Sequence, residues 1–379
     1  MTWADFCNGT RKETPQPPPR HGGTPAASPT NSKKTLTLPP LLTDKELLAL
    51  METIRESRDI VICAHRGPDG DAVGSSLGWA EYLRSIGKNA RVILPNPFPD
   101  FLRWLPNSQT VHFYARHEAE ATKAIAAADL IFCLDFNSLP RLQDMQHAVQ
   151  TSRARRVTID HHPSPDTSMS ALTLSFPAMS STSEIVLRLI CQLGGFDALT
   201  KGGAACLYTG MMTDTGGFTY NSNSPEIYQA ISLLLTKGID KDKIYRNVFN
   251  VYSPDRLRLT GYILYEKLRF LAGGRASIFT LTREEMKRFN YIRGDSEGLA
   301  NMPLQVKGMR VSVSLREDTE RDVVRVSLRS VDDFPCNRMA EEYFNGGGHL
   351  NASGGELPFP LDEAVKTAER AIEAYAEYL

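Results

Sequence analysis

Three short apolar runs, each leading directly into carboxylates or imidazoles, constrain the fold of this chain more than any other feature. Ile60-Val61-Ile62-Cys63 leads to His65, Asp69 and Asp71; residues 130–134 lead to Asp135-Phe136-Asn137; residues 156–159 lead to Asp160-His161-His162. Helical patterns lie between these runs, and strands alternating with helices predict a parallel sheet covered on both faces. In such sheets ligands bind beyond the carboxyl ends of the strands, so three strand ends bearing metal-capable residues predict one shared site. In the first of them, Pro68 and Gly70 break the alternation that sends neighbouring side chains to opposite faces. His65, Asp69 and Asp71 can therefore converge. Taken alone, Pro-Asp-Gly-Asp reads equally well as a turn with Asp71 as helix N-cap.

The rest of the chain divides by composition. Residues 1–40 hold eight of the 23 prolines among polar neighbours, with no hydrophobic period, and are expected to be a disordered tail. Residues 41–252 are expected to form the parallel-sheet domain and 253–270 a charged helical linker. In 271–379 a smaller α+β domain is expected, with strands over 276–281, 310–315 and 323–328. A helix over 337–344 should end in Asn345-Gly346-Gly347-Gly348-His349, and an amphipathic helix over 361–379 closes the chain. Within the first domain, Thr213-Asp214-Thr215-Gly216-Gly217 ends a helix. Asp214 there is either a solvated residue before a glycine cap or, as the site lacks a carboxylate, a ligand.

Charge limits the partners. The net charge is −1, and the first 38 residues carry five Lys/Arg against two acids, leaving about −4 for the remainder. From Arg269 to His349 there are 13 Lys/Arg and 12 Asp/Glu. Neither balance suits gripping long duplex DNA by phosphate neutralisation; both allow local recognition of a short nucleotide. The six cysteines include no CxxC pair, which predicts reduced, buried thiols instead of a disulfide framework. There is no apolar run of about 18 residues and no signal-type apolar segment, so neither a membrane span nor secretion is expected. The expected location is cytoplasmic.

The convergent candidates are Asp69, Asp71, Asp135, Asp214, His65 and His161. They outnumber the ligands of one tetrahedral zinc and include no thiolate, so Mn²⁺ or Mg²⁺ arranged as a pair suits them better. Two such ions about 3.5–4 Å apart clamp the attacking and departing oxygens of a phosphoryl transfer. That chemistry requires no Ser or Cys nucleophile.

The segments HRGPDGDAVGS, LDFN, IDHH and TDTGG together resemble the DHH phosphoesterases, a family named for the triplet seen here as Asp160-His161-His162. Ser327-Leu328-Arg329-Ser330 and NRMAEEYFNGGGHLNASGG resemble the C-terminal DHH-associated domain with a glycine-rich histidine loop. The ordered set spans about 45–379 and is similar to the bacterial branch of oligoribonucleases and 3′-phosphoadenosine-5′-phosphate (pAp) phosphatases. The resemblance implies one manganese on His65, Asp69 and Asp135. A second would take Asp71, Asp135, His161 and Asp214, with Mg²⁺ or Co²⁺ as substitutes. It further implies that Asp160 orients a histidine and that His162 faces the phosphate, beside Asp135, in the catalytic group. Arg329, Gly346, Gly347, Gly348 and His349 would contact substrate, in a cleft between the domains. Relatives often carry four glycines before the histidine; Asn345 stands in the first place here, and Asn tolerates left-handed geometry.

The expected protein is thus a Mn²⁺-dependent hydrolase of phosphate esters, degrading short RNA oligonucleotides and dephosphorylating pAp; a homodimer is allowed. Hydrolysis of a cyclic dinucleotide or its linear product is the alternative within the same chemistry. A non-catalytic nucleotide sensor is the alternative from another class.

Overall fold

The computed structural model describes residues 38–292 and 294–379. The tail expected over 1–40 therefore lies, up to residue 37, outside the described residues. The chain divides between Val248 and Phe249 into two compact units.

Unit 1 begins with a capped helix, α1 (Asp44–Glu56). Thr43 Oγ1 accepts from the Glu46 N–H while Glu46 Oε2 accepts from the Thr43 N–H, which satisfies two otherwise unpaired donors. There follow β1 (Asp59–Cys63), α2 (Gly70–Ser85), β2 (Asn89–Leu94), β3 (His112–Phe113), α3 (Glu118–Ala126) and β4 (Leu130–Leu134). Next come α4 (Gln146–Thr151), β5 (Arg155–Asp160), β6 (Leu172–Ser175), α5 (Thr182–Gln192), α6 (Lys201–Asp214), α7 (Pro225–Thr236) and α8 (Lys241–Phe249). The strands form one parallel sheet in the order β3-β2-β1-β4-β5-β6. β4 is buried along its whole length and β1 along all but its first residue, which is why both read as unbroken apolar runs. The order reverses between β1 and β4, and at such a switch point the crevice beyond the strand ends is open to a ligand. His65 follows β1 and Asp135 follows β4, one on each side of that point. β6 was not expected: four residues are too few for a period to register, and pairing with β5 defines it.

Glycines set the distance between α2 and α6. Gly70, Gly74 and Gly78 share one face of α2 at four-residue spacing. A Cβ on Gly74 would lie 2.5 Å from the Cys206 carbonyl oxygen, and one on Gly70 would lie 2.2 Å from Thr213 Oγ1. The start of α2, with Asp71, is thereby seated against the end of α6, with Asp214.

Unit 2 contains α9 (Pro254–Tyr262), β7 (Arg269–Leu271), β8 (Ala276–Leu281), α10 (Arg283–Arg288), β9 (Val311–Glu317) and β10 (Val323–Ser330). α11 (Cys336–Tyr343), β11 (Gly347–His349), β12 (Ala352–Pro358) and α12 (Leu361–Ala374) complete it. Its sheet runs β11-β12-β10-β9-β8-β7, antiparallel except between β8 and β9. Val324, Val326 and Leu328 alternate inward from β10 onto Met339 and Ala340 of α11 and Ala364, Ala368 and Ala371 of α12. Asp318 closes the β9–β10 hairpin. Its Oδ1 accepts from the N–H groups of Glu320 and Arg321 at 2.9 Å each, and its Oδ2 from Arg325 Nε at 2.7 Å.

Two expectations change here. The stretch 253–270, expected as a helical linker, belongs to unit 2: Leu259 and Ile263, four residues apart on one helical face, are buried with Phe279 and Leu281. Its end, Arg269–Leu271, is a strand paired with β8. The glycine loop is also more regular than expected, since Gly347–His349 pairs antiparallel with β12. Among the described residues the cysteines are unpaired, and no helix is long and apolar enough to cross a membrane.

Candidate metal centre

Asp135 is the point on which the site is built. It directly follows β4 in the left-handed region (φ 64°), a conformation that costs a non-glycine residue about 1–3 kcal/mol and gathers at functional sites. The turn swings its carboxylate, only 2% exposed, into the crevice. There Oδ2 lies 3.5 Å from His65 Nε2, and Oδ1 lies 3.5 Å from His161 Nε2 and 3.7 Å from His162 Nδ1. Three donor groups, each spanning no more than 4.8 Å, share this residue: His65 with Asp69, Asp71 with His161, and Asp160 with His162.

The other members come from the strand and helix ends that the sequence singled out. Asp69, and not Asp71, is the N-cap of α2. Its Oδ1 accepts from the N–H groups of Asp71 and Ala72 at 3.0 Å each, while Oδ2 stands 3.9 Å from His65 Nε2. Asp214 Oδ2 is 3.5 Å from His161 Nε2. Asp160 Oδ1 accepts from His162 Nδ1 at 2.8 Å. His65 Nδ1 is 3.0 Å from the Arg66 carbonyl oxygen.

Two residues at the start of α5, outside the donor set that the sequence pattern picks out, belong to the site. The N–H groups of Thr182 and Ser183 donate to the two oxygens of Asp71 at 2.7 and 2.9 Å, and Thr182 Oγ1 donates to Asp135 Oδ1 at 3.0 Å. The available signal was Ser180-Ser181-Thr182-Ser183-Glu184, a polar cluster that is buried throughout. Such a cluster in a core requires partners.

The electrostatics are those of an uncompensated anionic pocket. Burial, with the neighbouring charges of Asp135 and Asp214, pushes the Asp71 carboxyl well up. Burial and the charges of Asp69 and Asp135 do the same to Asp214. Asp135 behaves oppositely. Burial would raise it, but the His65 hydrogen bond and the fields of His162, His65 and His161 prevail and hold it well below the usual carboxylate range. Burial would lower His65 and His162, and their contacts with Asp135 and Asp160 raise them instead. Among the described residues no Lys or Arg forms an ion pair with Asp69, Asp71, Asp135, Asp160 or Asp214. Asp160 Oδ2 is buried without a hydrogen-bond partner. Four clustered carboxylates with two imidazoles, no thiolate and no paired side-chain cation form a donor set that fits hard divalent cations.

The residues expected to touch substrate lie in unit 2. Arg329 is in β10 and donates through Nη1 to the Leu328 carbonyl at 2.8 Å. Gly347, Gly348 and His349 form β11. The Gly346 N–H is committed to the Ala340 carbonyl at 3.1 Å, so it is not open to an anion. A Cβ there would lie 1.9 Å from the Gly354 carbonyl oxygen, giving this glycine a packing reason. Asn345 does take the left-handed conformation (φ 48°).

The sequence profile of the DHH family, N-terminal domain, matches residues 59–211, and that of the DHHA1 domain matches residues 276–376. The chain is 29% identical to the bifunctional oligoribonuclease and PAP phosphatase NrnA of Thermus thermophilus over 84% of this chain and 90% of that protein. It is 27% identical to the NrnA of Bacillus subtilis, over 83% and 94% respectively. The crystal structure of an exopolyphosphatase-related protein from Bacteroides fragilis is 51% identical with a TM-score of 0.85, covering 89% of this chain and 99% of that one.

Proposed function

Because the chain belongs to the DHH family and carries a DHHA1 domain, we propose that it is a Mn²⁺-dependent phosphodiesterase and phosphatase. Its substrates are short oligoribonucleotides, cut to mononucleotides, and pAp. The observation that carries this reading is the sharing of Asp135 by three donor groups at the switch point of the sheet. The names of the relatives supply the substrate class.

His65, Asp69 and Asp135 would hold one ion, and Asp71, Asp135, His161 and Asp214 a second. Bound there, divalent ions supply Lewis-acid polarisation of the phosphoryl group and an activated water. The chain's own residues do the rest. Asp135, kept ionised by the imidazoles around it, stays a ligand at neutral pH. The Thr182 and Ser183 N–H groups fix both oxygens of Asp71. The Asp160 carboxylate holds His162 through Nδ1 and favours its charged form. Proton exchange with a leaving oxygen then proceeds through Nε2, and the imidazolium offsets developing negative charge. Arg329 and His349 are the phosphate contacts proposed in unit 2.

The test is product release from the purified protein with Mn²⁺, given a 5′-labelled RNA dinucleotide, a pentamer, pAp and a cyclic dinucleotide in parallel. Mononucleotides from the RNAs with phosphate from pAp are expected. Preference for the cyclic compound would move the protein to second-messenger hydrolysis, and silence on all four would reject the reading.

A further inference from the structure

The segment after Asp135 is built to present one arginine. Phe136, Leu139, Leu142 and Met145 are buried, and they anchor a 3₁₀ stretch over Leu139–Met145 from which Arg141 points outward and exposed. That stretch is tied to the neighbouring strand-end loops at two points. The Arg141 carbonyl accepts from the Arg66 N–H at 2.8 Å, next to His65. Asn137 Nδ2 donates to the Pro163 carbonyl at 2.8 Å, next to His162. Gln143 holds a left-handed, non-helical conformation (φ 46°, ψ −117°) and accepts a hydrogen bond from the Arg66 guanidinium.

Arg141 itself has no such partner. Among the described residues no carboxylate pairs with it, not even Asp144 three residues on. The nearby carboxylates are turned to other donors: Asp69 to the start of α2, Asp71 to the start of α5, and Asp135 to Thr182 and the imidazoles. An exposed guanidinium on a segment tied to the loops beside His65 and His162, paired with none of the carboxylates, is placed for an anion that arrives with the substrate. Its planar fork matches two phosphate oxygens.

We propose that Arg141 binds the non-bridging oxygens of the substrate phosphate on the His65–His162 side of the centre, and so positions the ester for attack. The inference rests on the phosphoesterase reading above and adds to it a contact from unit 1. Arg66 is the internal control, because it carries the same charge on the adjoining loop but is engaged by Gln143.

The test compares Arg141→Ala, Arg141→Lys and Arg66→Ala with the unaltered protein. The readouts are kcat and KM for an RNA dinucleotide and for pAp, and calorimetric titration of inorganic phosphate into the Mn²⁺-loaded protein. Arg141→Ala should lower kcat/KM about 100-fold and weaken phosphate binding, with Mn²⁺ affinity unchanged. Arg141→Lys should recover part of the loss, since it keeps the charge without the fork. Arg66→Ala should stay within about twofold. Equal losses in the Arg66 and Arg141 variants would mean a diffuse field instead of a contact, and would overturn the proposal; so would Arg141→Ala behaving as the unaltered protein. If the unaltered protein turns over no substrate, the phosphoesterase reading fails, while the phosphate titration still decides on Arg141.

Discussion

Asp135 faces three imidazoles and one hydroxyl. Asp135→Ala should therefore abolish turnover and leave the protein unable to retain divalent ions, read by metal content after gel filtration; near-normal activity would remove it from the centre. Thr182 offers a finer test. Its hydroxyl donates to Asp135 Oδ1 at 3.0 Å, and partners behind metal ligands are typically worth about 10–100-fold in metal affinity or activity. Thr182→Val, nearly equal in shape, should fall within that range, whereas Thr182→Ser should restore most of the activity. Equal activity of the Val variant would show that the backbone N–H alone matters at this position.

At the scale of elements, the α2–α6 contact and the β9–β10 hairpin make separate predictions. Gly74→Ala places a methyl group 2.5 Å from the Cys206 carbonyl oxygen, a backbone atom that cannot step aside. Overpacking of this kind costs about 1–3 kcal/mol, so denaturant unfolding should show that loss. Activity should fall as well, because Asp71 and Asp214 ride on the two helices. In the hairpin, burial would raise Asp318, but hydrogen bonds from the Glu320 N–H, Arg325 and the Arg321 N–H hold it well below the usual carboxylate range. A depressed folded pKa means that the unfolded chain binds the extra proton, so stability rises with pH across this window. The contribution is complete above the unfolded value of about 4 and disappears as pH falls toward the folded one. Asp318→Asn should cost roughly 2 kcal/mol at neutral pH, and that difference should shrink in acid unfolding below about pH 4. A pH-independent difference would mean that the carboxylate charge is not what holds the turn.

For the whole molecule, the cluster of carboxylates opposes folding until cations offset it. Raised Asp71 and Asp214 express that cost, since burial and mutual repulsion both disfavour their charged forms. A ligand that binds only the folded state stabilises it by mass action, by about 2.7 kcal/mol at one hundred times its dissociation constant. Chelator-treated protein should melt at a lower temperature, and Mn²⁺ should raise the melting point in a concentration-dependent way. Asp135→Ala should lose that response, and a melting point indifferent to Mn²⁺ would argue against a metal centre.

Local pattern was enough to give the alternation of strands and helices and the three strand ends that carry donors. These follow from hydrophobic period and turn chemistry, which operate between residues close in the chain. It also marked Asp214, though only as one of two readings. Tertiary structure alone decided the rest, because the deciding contacts join residues far apart. Asp71 meets Thr182 and Ser183 across 111 and 112 positions. Gly74 is small because of Cys206, and no feature of α2 read alone could say so. Gly347–His349 becomes a strand only where β12 returns beside it. Leu259 and Ile263, four residues apart, mark a helical face in the sequence; burial against Phe279 and Leu281 made that helix part of a core instead of a linker.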